Sequence, residues 1–131
     1  MKTVFVDANV ILRFLLRDIP LQYDTSRDLF NEAQKGQIIV KTAEIIIFEV
    51  SFTLEKYYQF PRQKIIEALK SFLEASYIEV PSKEIFLMAL RMYADNTGVS
   101  LPDCFLLCSS QAQGAELFTF DEHLKKKIPS S

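Results

Sequence analysis

The sequence predicts an α/β protein, a three-layer α/β/α sandwich around a mostly parallel central sheet. Four short apolar runs, at residues 3–7, 38–40, 77–80 and 117–120, have the length and composition of buried strands. Longer segments between them carry apolar residues at helical spacing. Strands that alternate with helices pair in parallel through right-handed crossovers. The 131 residues suit one domain, 1–131, and contain no internal repeat, linker or low-complexity stretch.

The first strand, residues 3–7, ends on an acid, Asp7. Asn9 is the expected cap of the helix that follows, with Val10, Ile11, Phe14 and Leu15 at helical spacing. Pro20 suits the start of a second helix along Leu21, Leu29, Phe30 and Ala33, and Gly36 ends it. Ile38-Ile39-Val40 is the second strand. Residues 42–58 carry a β-branched run, yet they are too long for one strand. Ile46, Val50, Thr53 and Leu54 share a helix face, so a helix capped by Thr42 is predicted. Pro61 opens an amphipathic helix with Ile65, Ile66, Leu69, Phe72 and Leu73 on one side. Residues 77–80 form the third strand. Ser82 caps a helix carrying Ile85, Met88, Ala89 and Met92. Ser100 caps another, from Leu101 to about Gln113, closed by Gly114. Residues 117–120 are the fourth strand, and a last helical turn reaches Lys125, Lys126 and Lys127.

Composition removes whole classes of chemistry. The single His excludes HExxH zinc proteases. The 3 Gly stand too far apart for a P-loop or a GxGxxG fingerprint, and no GxSxG is present. Lys and Arg number 15 against 17 Asp and Glu, a net charge of −2. Nucleic-acid binding by bulk charge is excluded, so any such role needs local patches or metal ions. No apolar run reaches the ~18 residues of a membrane helix, and the first acid comes too early for a signal peptide. With 2 Cys and no export signal, a reducing cytoplasm is expected.

The informative residues are acids in apolar surroundings. Asp7 and Asp121 end the first and last strands, at the sheet edge where open parallel sheets bind ligands. Glu49 follows Ile47-Phe48, and Asp103 follows Leu101-Pro102. If the four meet, their mutual repulsion favours bound cations, and hard carboxylate oxygens suit Mg²⁺ or Mn²⁺. Each acid also has a structural reading. Asp103 completes a capping box with Ser100, Asp121 caps a helix at Glu122, and Glu49 faces solvent. Asp7 is the hardest to explain structurally, because an acid that ends a buried strand is costly unless paired or metal-bound.

Val4-Phe5-Val6-Asp7-Ala8-Asn9-Val10-Ile11-Leu12 resembles the opening motif of PIN-domain ribonucleases. Ile47-Phe48-Glu49-Val50 resembles the second acidic motif of that family. Leu101-Pro102-Asp103-Cys104-Phe105-Leu106-Leu107 resembles the third. Gly114-Ala115-Glu116-Leu117-Phe118-Thr119-Phe120-Asp121 resembles the fourth. The order and intervals are similar to those of short VapC-type toxins of toxin–antitoxin pairs. The resemblance spans nearly the whole chain and implies a PIN-like sandwich. It implies a metal-dependent endoribonuclease, usually a homodimer, neutralised by a cognate antitoxin protein. Asp7, Asp103 and Asp121 would hold Mg²⁺ or Mn²⁺, and Glu49 would complete the acidic ring and orient the attacking water. Asn9 and Thr119 would hydrogen-bond the carboxylates and fix their rotamers. Family members often add a fifth edge strand, for which only Ile128-Pro129-Ser130-Ser131 remains here.

Cys104 and Cys108, one turn apart, read as buried thiols rather than zinc ligands or a disulfide. Arg13 and Arg17 read as surface residues, with RNA contact the sharper alternative. Lys125-Lys126-Lys127 read as a solvated tail. An aspartyl-phosphate phosphotransferase wants a second Asp two residues after the first, and Asn9 stands there. The remaining competitor is a PIN-like module that binds RNA or a basic protein segment with little cleavage.

Overall fold

Parallel pairing organises the first of two compact units in the computed structural model, which describes residues 1–129. This unit, Met1–Lys83, opens with β1 (Lys2–Phe5), α1 (Ala8–Leu16) and α2 (Pro20–Gln34). It continues through β2 (Ile38–Lys41), α3 (Glu44–Lys56), α4 (Arg62–Glu74) and β3 (Ile78–Glu79). The strands lie in the order β1-β2-β3, both pairs parallel, with Val4 opposite Val40 and Val40 opposite Ile78. Two helices cross over between each successive pair, as alternating strands and helices predict. Among the described residues the chain has seven helices and a three-stranded, all-parallel sheet, the α/β class expected of a PIN-like fold.

The core of this unit is aliphatic. Ile11, Val40, Ile47, Val50, Leu54 and Leu69 are completely buried. Five lie on the helix face or strand that spacing assigned to the interior; on α3 the buried stripe runs through Ile47 instead of Ile46, which is only half-buried, as is Thr53. α1 packs on α2 and α3, and α3 packs on α4. Phe30 links α2 to two neighbours, meeting Phe14 edge-on at 4.7 Å and Phe72 at 5.8 Å. Such geometry aligns ring edges with ring faces. Gly36 follows α2 at φ +76°, a left-handed position that a side chain would strain.

The second unit begins at Glu84 and holds most of α5 (Lys83–Asp95), then α6 (Leu101–Ala112) and α7 (Glu122–Lys125). Phe86 and Phe105 pack ring to ring at 4.5 Å. Gly98 lies against the His123 ring, where an added Cβ would come within 3.2 Å of Nδ1. Cys104 and Cys108 are buried thiols outside any disulfide, as their helical spacing predicted. Ser100 caps α6 by accepting from the Asp103 backbone N–H at 3.3 Å, and Gly114 follows at φ +64°.

Several local expectations are corrected. Asn9 does not cap α1. Asp7 does, accepting from the Val10 N–H at 3.1 Å, which moves the helix start forward and places Asn9 in the first turn. Thr42 does not cap α3. Its hydroxyl donates to the Val6 carbonyl at 2.8 Å, and Ala43 stands at the cap without a side-chain bond. Residues 117–120 form no strand among the described residues. A strand exists through its hydrogen-bond ladder, and this apolar alternation has none. Phe118 and Phe120 pair with each other edge-on at 5.4 Å and remain 84% exposed. β1 is correspondingly less buried than a central strand, with Phe5 68% exposed, because it has a ladder on one side only. A fifth strand would fall on residues 128–131, of which 130 and 131 lie outside the described residues.

Candidate active site

The sheet delivers Asp7 to its position through the end of β1. Beyond Phe5, the Val6 N–H still donates to the Lys41 carbonyl at 3.0 Å. The Thr42 hydroxyl grips the Val6 carbonyl from the other direction, and Thr42 N–H donates to the Glu79 carbonyl at 3.1 Å. Asp7 therefore follows a segment fixed on both of its backbone polar groups. One carboxylate oxygen, Oδ1, is spent on the α1 cap, and Oδ2 remains for other partners. A carboxylate at a helix N-terminus also gains from the helix dipole.

Asp7 borders a cleft of about 490 Å³ between the start of α1 and the polar side of α2. Asn9 and Arg13 share the α1 wall, and Gln22, Thr25 and Ser26 form the other. Arg13 is no plain surface residue, since its side chain is only 13% exposed. Its guanidinium donates to the Tyr58 hydroxyl at 2.9 Å and pairs with Asp18 at 3.2 Å. The Arg13 Nε is buried without a hydrogen-bond partner. The three α2 residues escaped the sequence reading, which followed the apolar face of that helix. Their spacing of three and four residues was the available signal.

Glu49 stands on α3, exposed, between the buried Ile47 and Val50. α3 packs directly on α1, so Asp7 and Glu49 belong to neighbouring helices of one unit. In the second unit Asp103 is half-buried in the first turn of α6. Asp121 caps α7, with Oδ1 accepting from the Leu124 N–H at 3.0 Å. The structural role weighed for Asp121 is thus real, and Oδ2 is left over. Thr119 accepts from the Asp121 backbone N–H at 3.1 Å, so it fixes the turn that carries the acid rather than the carboxylate itself. Asn9 makes no hydrogen bond to a carboxylate among the described residues.

The donor set fits a hard divalent cation. Asp18, Asp24, Asp28, Glu55, Glu79 and Glu122 each pair with a Lys or Arg. Asp7, Glu49, Asp103 and Asp121 pair with none among the described residues, as is true of seven further acids, Glu32, Glu44, Glu67, Glu74, Glu84, Asp95 and Glu116. Unpaired carboxylate oxygens are the ligands Mg²⁺ and Mn²⁺ prefer. Among the described residues, no three Asp, Glu, His or Cys side chains already form a group able to hold a metal ion.

The chain is 28% identical over 123 residues to a protein named VapC ribonuclease from Aquifex aeolicus (strain VF5), covering 92% of this chain and 89% of that protein. No solved structure gives a significant match. Among the described residues, no helix is long and apolar enough to cross a membrane. The PIN domain family model matches residues 4–128, a span that contains all four acids, and on that match the chain belongs to the PIN-domain family.

Proposed function

We propose that this protein is a metal-dependent endoribonuclease, the toxin of a toxin–antitoxin pair, with residues 1–131 acting as one PIN-like domain. The observation that carries the reading is the PIN domain match over residues 4–128, a span that holds Asp7, Glu49, Asp103 and Asp121, the acids of the four motif resemblances. The similarity to a VapC ribonuclease supports RNA as substrate and a cognate antitoxin as partner. A homodimer in the cytoplasm completes the proposal as the working state.

In this reading Asp7, Asp103 and Asp121 hold Mg²⁺ or Mn²⁺, each capping carboxylate through the oxygen it does not spend on its helix. The cation supplies polarisation of a phosphoryl oxygen and a water of lowered pKa. Glu49 accepts a hydrogen bond from the attacking water and directs it toward phosphorus. Thr119 fixes the turn that carries Asp121. No protein nucleophile is required, and among the described residues His123 makes no hydrogen bond to a Ser or Cys.

The test is cleavage of structured and single-stranded RNAs with Mg²⁺, Mn²⁺ or EDTA, beside Asp7→Asn and Asp103→Asn. Cutting that needs metal and vanishes in both variants is the expected result. Cutting that persists in EDTA overturns the metal mechanism. Metal-independent binding of RNA or antitoxin without any cutting would favour the binding-module alternative.

A further inference from the structure

The cleft beside Asp7 is lined by polar side chains that other parts of the chain leave unengaged. Ser26 is 5% exposed and lines the cleft, yet its hydroxyl makes no hydrogen bond among the described residues. The Ser26 oxygen itself stays accessible from the cleft, whereas Arg13 Nε is buried and unpartnered. Buried polar groups are ordinarily satisfied, and leaving one unpaired is costly. Gln22 and Asn9 add two amides whose donors and acceptors are not engaged by the described residues. These groups belong to α1 and α2 of one compact unit. The volume, about 490 Å³, lies within the range of about 300–1,000 Å³ usual for small-ligand sites.

We infer that this cleft seats one nucleotide of single-stranded RNA next to the scissile phosphate. The inference rests on the nuclease reading for that adjacency, because Asp7 forms the rim. A side-chain amide presents a donor and an acceptor side by side, the pattern that pairs with a base edge. Unstacked bases of single strands are read through such edges. Gln22 reads the base, and the Ser26 hydroxyl bonds to the base or its ribose. Arg13 is held by Asp18 and Tyr58, which fixes its positive charge beside the cleft, where a phosphate would be attracted. A peptide occupant is less well matched, because Val10 is the single apolar residue in the lining and no aromatic side chain stands beside it to seat an anchoring residue.

The experiment measures anisotropy of four labelled RNA hexamers, oligo-A, -C, -G and -U, with the full chain. It is run in EDTA and again in Ca²⁺, for wild type, Gln22→Leu and Ser26→Ala, with a thermal melt of each. Gln22 is exposed and Ser26→Ala removes one oxygen, so all three proteins should fold. Each substitution is expected to weaken binding of the preferred hexamer about three- to tenfold. Gln22→Leu should also flatten the preference among the four. In cleavage assays the loss should appear in KM, with kcat nearly unchanged. Unchanged affinity and preference in both folded variants overturn the inference, as does a wild type that binds none of the hexamers. A wild type that binds with this dependence but never cleaves sinks the nuclease reading and leaves the cleft standing. Cleavage with variant-independent binding sinks the cleft alone.

Discussion

Asp7 holds a helix start with one oxygen and keeps the other free, so its two roles separate by substitution. Asparagine caps a helix about as well as aspartate, whereas alanine loses about 1 kcal/mol. Asp7→Asn should therefore melt close to wild type, or slightly higher without metal, while RNA cleavage disappears. Asp7→Ala should lose cleavage and about 1 kcal/mol of stability as well. A urea titration beside the RNA assay reads both quantities. A large drop in the melting temperature of Asp7→Asn would mark the charge as structural.

Cys108 gives a pH prediction at the same scale. Burial pushes its thiol above the ordinary value of 9.0, against a smaller opposing pull from Arg91. The folded protein thus keeps a proton that the unfolded chain gives up. The contribution to stability is complete below pH 9.0 and declines as pH rises from there toward the raised folded value. Urea midpoints between pH 8 and 10 should fall in wild type and fall less in Cys108→Ala. Alkylation by iodoacetamide at pH 8 should be slow until the protein is unfolded.

Elements add constraints that no single residue shows. Arg13 on α1 reaches Tyr58, just past the end of α3, across 45 residues of sequence. With Asp18 it ties the end of α1 to the α3 terminus. Tyr58→Phe removes the hydroxyl acceptor and leaves another guanidinium N–H unpaired in a largely buried site. The expected cost is about 1 kcal/mol, read by denaturant titration, with the packing of the ring retained. This long-range tie was invisible in the sequence, where Arg13 looked like a surface residue. The helices were legible because period and punctuation agreed: Pro20 and Gly36 around α2, Pro61 before α4, Ser100 and Gly114 around α6. Residues 42–58 were legible through length, despite their β-branched run. Residues 117–120 were not, because alternation supplies apolar side chains while a strand also needs a neighbouring backbone. Caps were the weakest reading. Asx and hydroxyl side chains two residues apart, as at Asp7 and Asn9, compete for the same role, and tertiary hydrogen bonds decide, as Thr42 shows. The four acids were visible because they interrupt apolar runs. The cleft wall on α2 was not, because nothing local distinguishes a polar face that meets solvent from one that lines a site.

At the scale of the whole molecule, the proposed chemistry makes a demand on both compact units. Asp7 and Glu49 belong to the first, Asp103 and Asp121 to the second. If one cation is shared by acids from both, its binding free energy appears as stability of the entire chain. A ligand that binds only the folded state stabilises it by about 2.7 kcal/mol when its free concentration is about 100 times Kd. Titration with Mn²⁺ or Mg²⁺ should raise the wild-type melting temperature and saturate. Asp7→Asn and Asp103→Asn should each abolish most of that rise, although they stand in different units. Their double variant should lose no more than either alone, because both act on one bound ion. Additive losses, or a rise that survives in one single variant, would mean that the acids of the two units bind cations separately. The single-domain reading would then fail together with the shared site.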